Sequence, residues 1–320
     1  MTNRHPLAGI YAAALTPFKD DFSIDVEAIH PFLQFLAAQE CHGALLFGTT
    51  GEGPSLSPAE REAILRAALE VRVTFPEFRL LAGTGTPSLD ETVELTRMAF
   101  RLGCEGVVVL PPYYFRKVSD DGLFAWFQQV IRRSVPQDGF LLGYHIPNQT
   151  GVPLSLDLLA RLKDAFPTRF AGLKDSSGDP EYAVALGGRF GPDLLVLTGN
   201  DGLLLHALEY NAGGAITAMA NLYAPLLRQV WNIYLQDGDA IEAQEQLNTR
   251  RRVLERYQPF PPTLKAMLAP LHGFKRWSVR PPLLPVSSQV EKTCLQELRD
   301  CDEAELNTPS DLIDPDEKYP

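Results

Sequence analysis

From residue 9 onward the chain alternates, in a regular order, between short apolar runs and stretches whose apolar positions recur at helical spacing. Each run stops at polar or glycine-rich residues, and each following stretch opens on a capping residue. GIYAAALTP (9–17) precedes a helix predicted near Asp25 to Gln39, and GALLFGTTGEG (43–53) precedes one from Ser57. Ser57, Pro58 and Glu60 form a capping box with proline at the first helical position, which leaves few unpaired amides at that helix start. Ser88 and Glu91 repeat the pattern after RLLAGTG (79–85). GVVVLPPYY (106–114) leads to a helix over 120–134, and FLLGYHIPNQTG (140–151) to one capped by Ser155. FAGLKDSSGD (170–179) leads to a helix capped by Asp179 with Pro180 behind it, and LLVLTGND (194–201) and GGAITAMAN (213–221) precede helices over 202–211 and 222–236.

This order amounts to eight strand-then-helix units in about 235 residues. The strands are apolar almost throughout, as strands covered on both faces are, so the sheet is expected to be parallel. Eight such units predict an α/β fold, a (β/α)8 TIM barrel, in preference to an open doubly wound sheet. The first strand-to-helix turn lacks the GxGxxG phosphate loop that a nucleotide-binding sheet would carry there. The expected division is a barrel over 1–237, a C-terminal helical extension over 238–297 with VRPPLLPV (279–286) as a rigid extended connector, and an acidic, loosely ordered tail over 298–320.

Charge changes this picture little. The net charge of −11 concentrates at the C-terminal end, where eight carboxylates from Asp300 onward face only Lys318; that net −7 leaves −4 for the rest. No basic stripe interleaved with aromatics is present, so neither nucleic acid nor an anionic membrane is an expected partner. Cys41, Cys104, Cys294 and Cys301 are scattered without CxxC or histidine spacing, which predicts no metal site and suits a reducing cytoplasm. MTNRHPLAG holds no apolar segment of signal-peptide length, and no stretch reaches the roughly 18 apolar residues of a membrane helix.

In a barrel, chemistry sits at the C-terminal ends of strands. Those ends hold Gly48-Thr49-Thr50-Gly51-Glu52, Pro112-Tyr113-Tyr114, Tyr144-His145-Ile146-Pro147, Lys174-Asp175 and Gly199-Asn200-Asp201. Lys174 is the candidate nucleophile, because an amine at the mouth of an apolar barrel is favoured in its uncharged form and condenses with a ketone to an iminium. Such chemistry needs no metal or cofactor. A lysine at a strand end also serves simply to pair with a neighbouring carboxylate, here Asp175. Tyr144, at the end of the preceding strand, suits a proton shuttle if another hydroxyl such as Thr49 activates it, and suits equally a satisfied core tyrosine. GTTGEG exposes backbone N–H groups to an anion, or is only a turn.

Together these segments resemble the dihydrodipicolinate synthase and N-acetylneuraminate lyase superfamily of Schiff-base aldolases. The matching residues are GTTGEG (48–53), PPYY (111–114), Tyr144 with Pro147 and Thr150-Gly151, GLKDSSGD (172–179), GND (199–201), GGAITAMAN (213–221) and RPPLLP (280–285). The resemblance implies Lys174 as the Schiff-base lysine, Tyr144 as the acid/base, and Thr49 in a hydroxyl relay completed by Tyr114 from a neighbouring subunit. It implies that the Thr50 amide holds the carboxylate of pyruvate or another 2-oxo acid, that Ile216 and Gly199 line the same pocket, and that Ser176 faces the substrate tail. It further implies a homo-oligomer, a dimer or a dimer of dimers, and no cofactor.

One departure bears on the substrate. Synthases of this family carry an arginine for the carboxylate of aspartate semialdehyde where this chain has Gln149, and a neutral amide cannot make the bidentate charged contact. His145 stands where an asparagine is common and either contacts substrate or packs in the core. The expected reaction is therefore aldol cleavage or formation of a 4-hydroxy-2-oxo acid, of the 2-keto-3-deoxy sugar acid or 4-hydroxy-2-oxoglutarate type. The competing readings are the synthase, a sugar acid dehydratase, and a catalytically silent barrel that binds a 2-oxo acid.

Overall fold

In the computed structural model, which describes residues 4–306, the eight apolar runs pair in chain order, all parallel, and the last pairs with the first to close a barrel. The strands are β1 (Gly9–Ala13), β2 (Gly43–Leu46), β3 (Arg79–Gly83), β4 (Gly106–Val109), β5 (Phe140–His145), β6 (Phe170–Asp175), β7 (Leu195–Thr198) and β8 (Gly214–Thr217). The outer helices are α1 (Val26–Ala38), α2 (Pro58–Ala68), the short α3 (Val71–Thr74), α4 (Leu89–Arg101), α5 (Asp120–Ser134), the short α6 (Pro147–Thr150), α7 (Leu156–Ala165), α8 (Pro180–Phe190), α9 (Leu204–Glu209) and α10 (Ala220–Leu235). The (β/α)8 barrel expected from the strand-helix order is thus the fold.

The capping signals act as read. Ser57 accepts from the Glu60 amide while Glu60 returns a bond to the Ser57 amide, and Ser88, Ser155 and Asp179 each accept an amide of their own first turn. Side chains alternate along the strands and separate two cores. Tyr11, Leu45, Leu81, Val108, Leu142, Tyr144, Leu197 and Ile216 fill the barrel interior, while their neighbours, among them Ile10, Val107, Leu141, Phe170, Leu173 and Ala215, pack outward under the helices.

One strand breaks the alternation where it matters. Leu141 pairs with Phe170 but Leu142 pairs with Gly172, so β6 carries Ala171 as an extra residue. Such a bulge turns the following side chains by one position. Beyond it Gly143 pairs with Leu173 and Tyr144 with Lys174, and Lys174 joins the inward series while Leu173 faces the helices. Gly172 at φ 158° lies so near the Leu195 carbonyl that a Cβ there would overlap it.

Of three further helices, α11 (Ile241–Glu255) and α12 (Phe260–His272) pack on α10, and α13 (Ser288–Leu306) packs on α11 and α12. Between α12 and α13 the chain runs extended, with Trp277 buried edge-on against Phe32 of α1 and the Ser278 amide donating to the Phe18 carbonyl. Helix α13 continues past residue 298, where the charge pattern places the start of a loose tail. Leu298 is fully buried and Asp302 pairs with Arg250 at 2.6 Å, so the apolar periodicity outlasts the onset of acidic composition. The remainder of the expected tail, 307–320, lies outside the described residues.

Candidate active site

The bulge in β6 puts Lys174 inside the barrel mouth, 3% exposed, directly beside Tyr144 of β5. Its Nζ donates to Tyr144 Oη at 3.0 Å and lies 4.1 Å from the centre of that ring. Tyr144 Oη shares a second hydrogen bond with Thr49 Oγ1 at 3.3 Å, so an amine, a phenol and a hydroxyl form one chain. Burial alone would raise the Tyr144 pKa; the charge of Lys174 and hydrogen bonds from Thr49, Lys174 and Ser176 outweigh it and bring the phenol below its ordinary value. A phenol so placed can take and return a proton within a buried site.

Asp175, next in the strand, does not pair with Lys174, since adjacent side chains of a strand face opposite ways: Lys174 turns to Tyr144 and Asp175 to the Ser177 amide. It points among the helices, accepts the Ser177 amide at 3.0 Å, and is pushed up to about 6, chiefly by burial.

The GTTGEG turn follows β2. The Glu52 amide donates to the Thr49 carbonyl and the Gly53 amide to the Gly48 carbonyl, at 3.1 and 3.0 Å. The amides of Thr49, Thr50 and Gly51 donate to no acceptor among the described residues. Thr50 is itself buried. Consecutive free amides near the buried Lys174 form a site for a carboxylate. Arg61 of α2 braces the turn from below, donating to the Gly53 carbonyl at 2.6 Å and the Gly83 carbonyl at 2.7 Å.

Ser176 and Gly199 meet across the ends of β6 and β7. The Gly199 amide donates to the Asp175 carbonyl at 2.6 Å, and a Cβ on Gly199 would overlap Ser176 Oγ. Glycine at 199 is what lets Ser176 turn toward Tyr144. Ile216 is fully buried in the same interior cluster as Tyr144. Gln149 is exposed on α6, and its side chain forms no hydrogen bond to the described residues. His145 is a packed residue: its Nδ1 accepts the Leu154 amide at 3.0 Å, its ring stacks on Tyr182 with centroids 4.4 Å apart, and burial pulls it down to about 4. Tyr114, like Gln149, is an expected site residue that a single chain leaves exposed. It is 77% exposed and packs edge-on against Phe115 at 5.3 Å.

Residues and contacts to which the sequence assigns no role complete the surroundings. Arg61, the Ala171 bulge and a buried ion pair between Glu52 and Lys265 all support the turn or the lysine. The helical period of PPTLKAML signals a buried position for Lys265, but nothing in the sequence names its partner, which lies 213 residues away.

Residues 6–300 match the model of the dihydrodipicolinate synthetase family. A lyase from Chloroflexus aurantiacus described as an uncharacterized DapA-like lyase is 39% identical over 88% of this chain and 92% of its own length. A 4-hydroxy-tetrahydrodipicolinate synthase from Parasynechococcus marenigrum is 32% identical over 91% of this chain and 94% of its own. Among solved structures, YagE from E. coli K12, a member of the dihydrodipicolinic acid synthase family crystallised with pyruvate, superposes with a TM-score of 0.86 at 26% identity. It covers 92% of this chain and 99% of its own. The chain belongs to the dihydrodipicolinate synthetase family and is an enzyme of the lyase and aldolase kind that this family comprises.

Proposed function

We propose that this enzyme is a class I aldolase that cleaves or forms a 4-hydroxy-2-oxo acid through a Schiff base on Lys174. The observation that carries the reading is the hydrogen-bonded chain from the buried Lys174 Nζ through the buried Tyr144 Oη to Thr49 Oγ1 at the barrel mouth. The unprotonated amine adds to the C2 ketone, and loss of water gives the iminium. Tyr144 accepts the proton of the 4-hydroxyl as the C3–C4 bond breaks; the bonding pair flows into the iminium, giving an enamine, and the aldehyde departs. Protonation at C3 and hydrolysis return pyruvate and the free amine. The substrate carboxylate takes the free amides of the Thr49–Gly51 stretch, with Thr50 central, beside Ile216 and Gly199. Ser176, which hydrogen-bonds to Tyr144, meets the substrate beyond C3.

The choice of aldolase over synthase rests on Gln149, neutral and uncommitted where the synthases carry arginine. The identity to proteins named 4-hydroxy-tetrahydrodipicolinate synthase favours the second reading, condensation of pyruvate with aspartate semialdehyde. We further propose a cytoplasmic homo-oligomer in which Tyr114, exposed here, extends the hydroxyl chain of a neighbouring subunit. Turnover on 4-hydroxy-2-oxoglutarate, 2-keto-3-deoxygluconate and pyruvate with aspartate semialdehyde separates the readings. Cleavage of one of the first two is expected; efficient condensation with the semialdehyde instead assigns the enzyme as a synthase. A wild-type protein that forms no adduct with any of these acids is a silent barrel.

A further inference from the structure

The turn that offers its amides to the substrate carboxylate is held from the far end of the chain. Glu52, in left-handed backbone at φ 55°, sends its carboxylate away from the amides into a buried network. Its Oε1 accepts from Lys265 Nζ of α12 at 2.6 Å, and its Oε2 accepts the Arg280 amide of the extended connector at 3.0 Å. Lys265 also donates to the Ser278 carbonyl at 2.8 Å and sits 4.3 Å above the Phe18 ring, and both members of the pair are 1% exposed. Arg280 extends the network: its guanidinium lies 4.5 Å over the same ring, pairs with Glu60 of α2, and donates to the Ser55 carbonyl at 2.7 Å and the Phe22 carbonyl at 2.8 Å. With Arg61 on the Gly53 carbonyl, the second half of the turn is fixed from two sides.

A buried ion pair stabilises a fold little better than apolar residues of the same volume, because both charges lose their hydration. What a fully hydrogen-bonded pair does supply is a single geometry. We propose that Glu52 and Lys265 are positioning residues for the 2-oxo acid carboxylate. By locking Glu52 they hold the Thr49, Thr50 and Gly51 amides converged, and the C-terminal helical region thereby becomes part of the active site. This inference rests on the Schiff-base reading above, in particular on a carboxylate bound at Thr50.

The test compares two ketones, pyruvate and acetone, that form the same iminium and differ in the carboxylate. Borohydride trapping on Lys174, followed by intact mass, is measured against ketone concentration for the wild type, Lys265→Met and the double variant Glu52→Gln/Lys265→Met, with circular dichroism melts to establish folding. Lys265→Met leaves Glu52 buried and unpaired; the double variant removes both charges at nearly constant volume and keeps the protein assayable if the single change unfolds it. A displaced turn is expected to raise half-saturating pyruvate by about 10- to 100-fold, the scale of a misplacement of about 1 Å. Acetone trapping is expected to stay within about twofold, since it uses Lys174 and not the turn. A merely structural role would weaken both ketones alike. Folded variants that keep the wild-type preference for pyruvate over acetone overturn the proposal, and so do variants that lose both equally. A wild type that traps neither ketone refutes the Schiff-base reading, an outcome visible before any variant is made.

Discussion

Tyr144→Phe separates the phenol from everything else Tyr144 does. The ring stays, and with it the contact of Lys174 Nζ with the aromatic face at 4.1 Å and the packing of the barrel interior. The loss is one oxygen that accepts from Lys174 at 3.0 Å and shares a bond with Thr49 at 3.3 Å. For stability, a buried donor left without its acceptor costs about 1–3 kcal/mol. For turnover the loss is larger: a positioned general acid/base contributes about 10²- to 10⁴-fold, and Tyr144 is enclosed enough that water cannot readily stand in for it. Steady-state turnover is expected to fall by at least about 100-fold. The assay pairs aldehyde release with single-turnover borohydride trapping across pH. The charge of Lys174 and three hydrogen bonds hold the phenol below its ordinary value against burial, so the wild-type profile should contain a limb that Tyr144→Phe removes. A folded variant with unchanged turnover and an unchanged profile would refute the assignment of Tyr144.

Other consequences follow from single contacts. Gly199→Ala places a Cβ into Ser176 Oγ, so it should raise KM for the full 4-hydroxy-2-oxo acid several-fold more than the half-saturating pyruvate in trapping; equal effects would remove Ser176 from the substrate tail. Asp175 is raised by burial to about 6, so the native state binds its proton more tightly than the unfolded chain, and stability falls as pH rises from the ordinary carboxyl value through 6. Asp175→Asn, which keeps the acceptor for the Ser177 amide, should therefore stabilise by roughly 1–3 kcal/mol at neutral pH and by little below pH of about 4. Equal melting shifts at both pH values contradict that. Truncation after Glu297 removes the fully buried Leu298 and the Asp302 carboxylate opposite Arg250, and should cost about 2–5 kcal/mol of stability; an unchanged melt would mean that α13 ends functionally where the acidic composition begins.

The fold was legible because its signals are local. Ser57 with Glu60, Ser155 and Asp179 mark helix starts that the chain uses, and eight apolar runs interleaved with helices leave little besides a closed parallel barrel. The strand ends gather Lys174, Tyr144 and Thr49 into one place, since closing the barrel turns the tips of β5 and β6 and the turn after β2 toward one mouth. What the sequence hid was long-range or a matter of phase. Strict alternation through FAGLKD cannot say that Ala171 is extra, yet without that bulge Lys174 would face outward with Phe170. The Glu52–Lys265 pair depends on how the connector returns to the barrel mouth, which no periodicity encodes. In sequence, His145 suits substrate contact and core packing equally; in the fold, Tyr182 and the Leu154 amide occupy its ring. The tail boundary failed for a different reason: charge density marks solvent exposure of one helix face, while Leu298 on the other face stays buried.

The central claim is that Lys174 forms the covalent bond to a 2-oxo acid. Intact-mass measurement after borohydride reduction in the presence of pyruvate, with peptide mapping, tests it most directly. One reduced pyruvyl adduct per chain is expected, mapped to Lys174 and absent in Lys174→Ala. An adduct that persists in Lys174→Ala, or a wild-type protein that gains no mass, would contradict it.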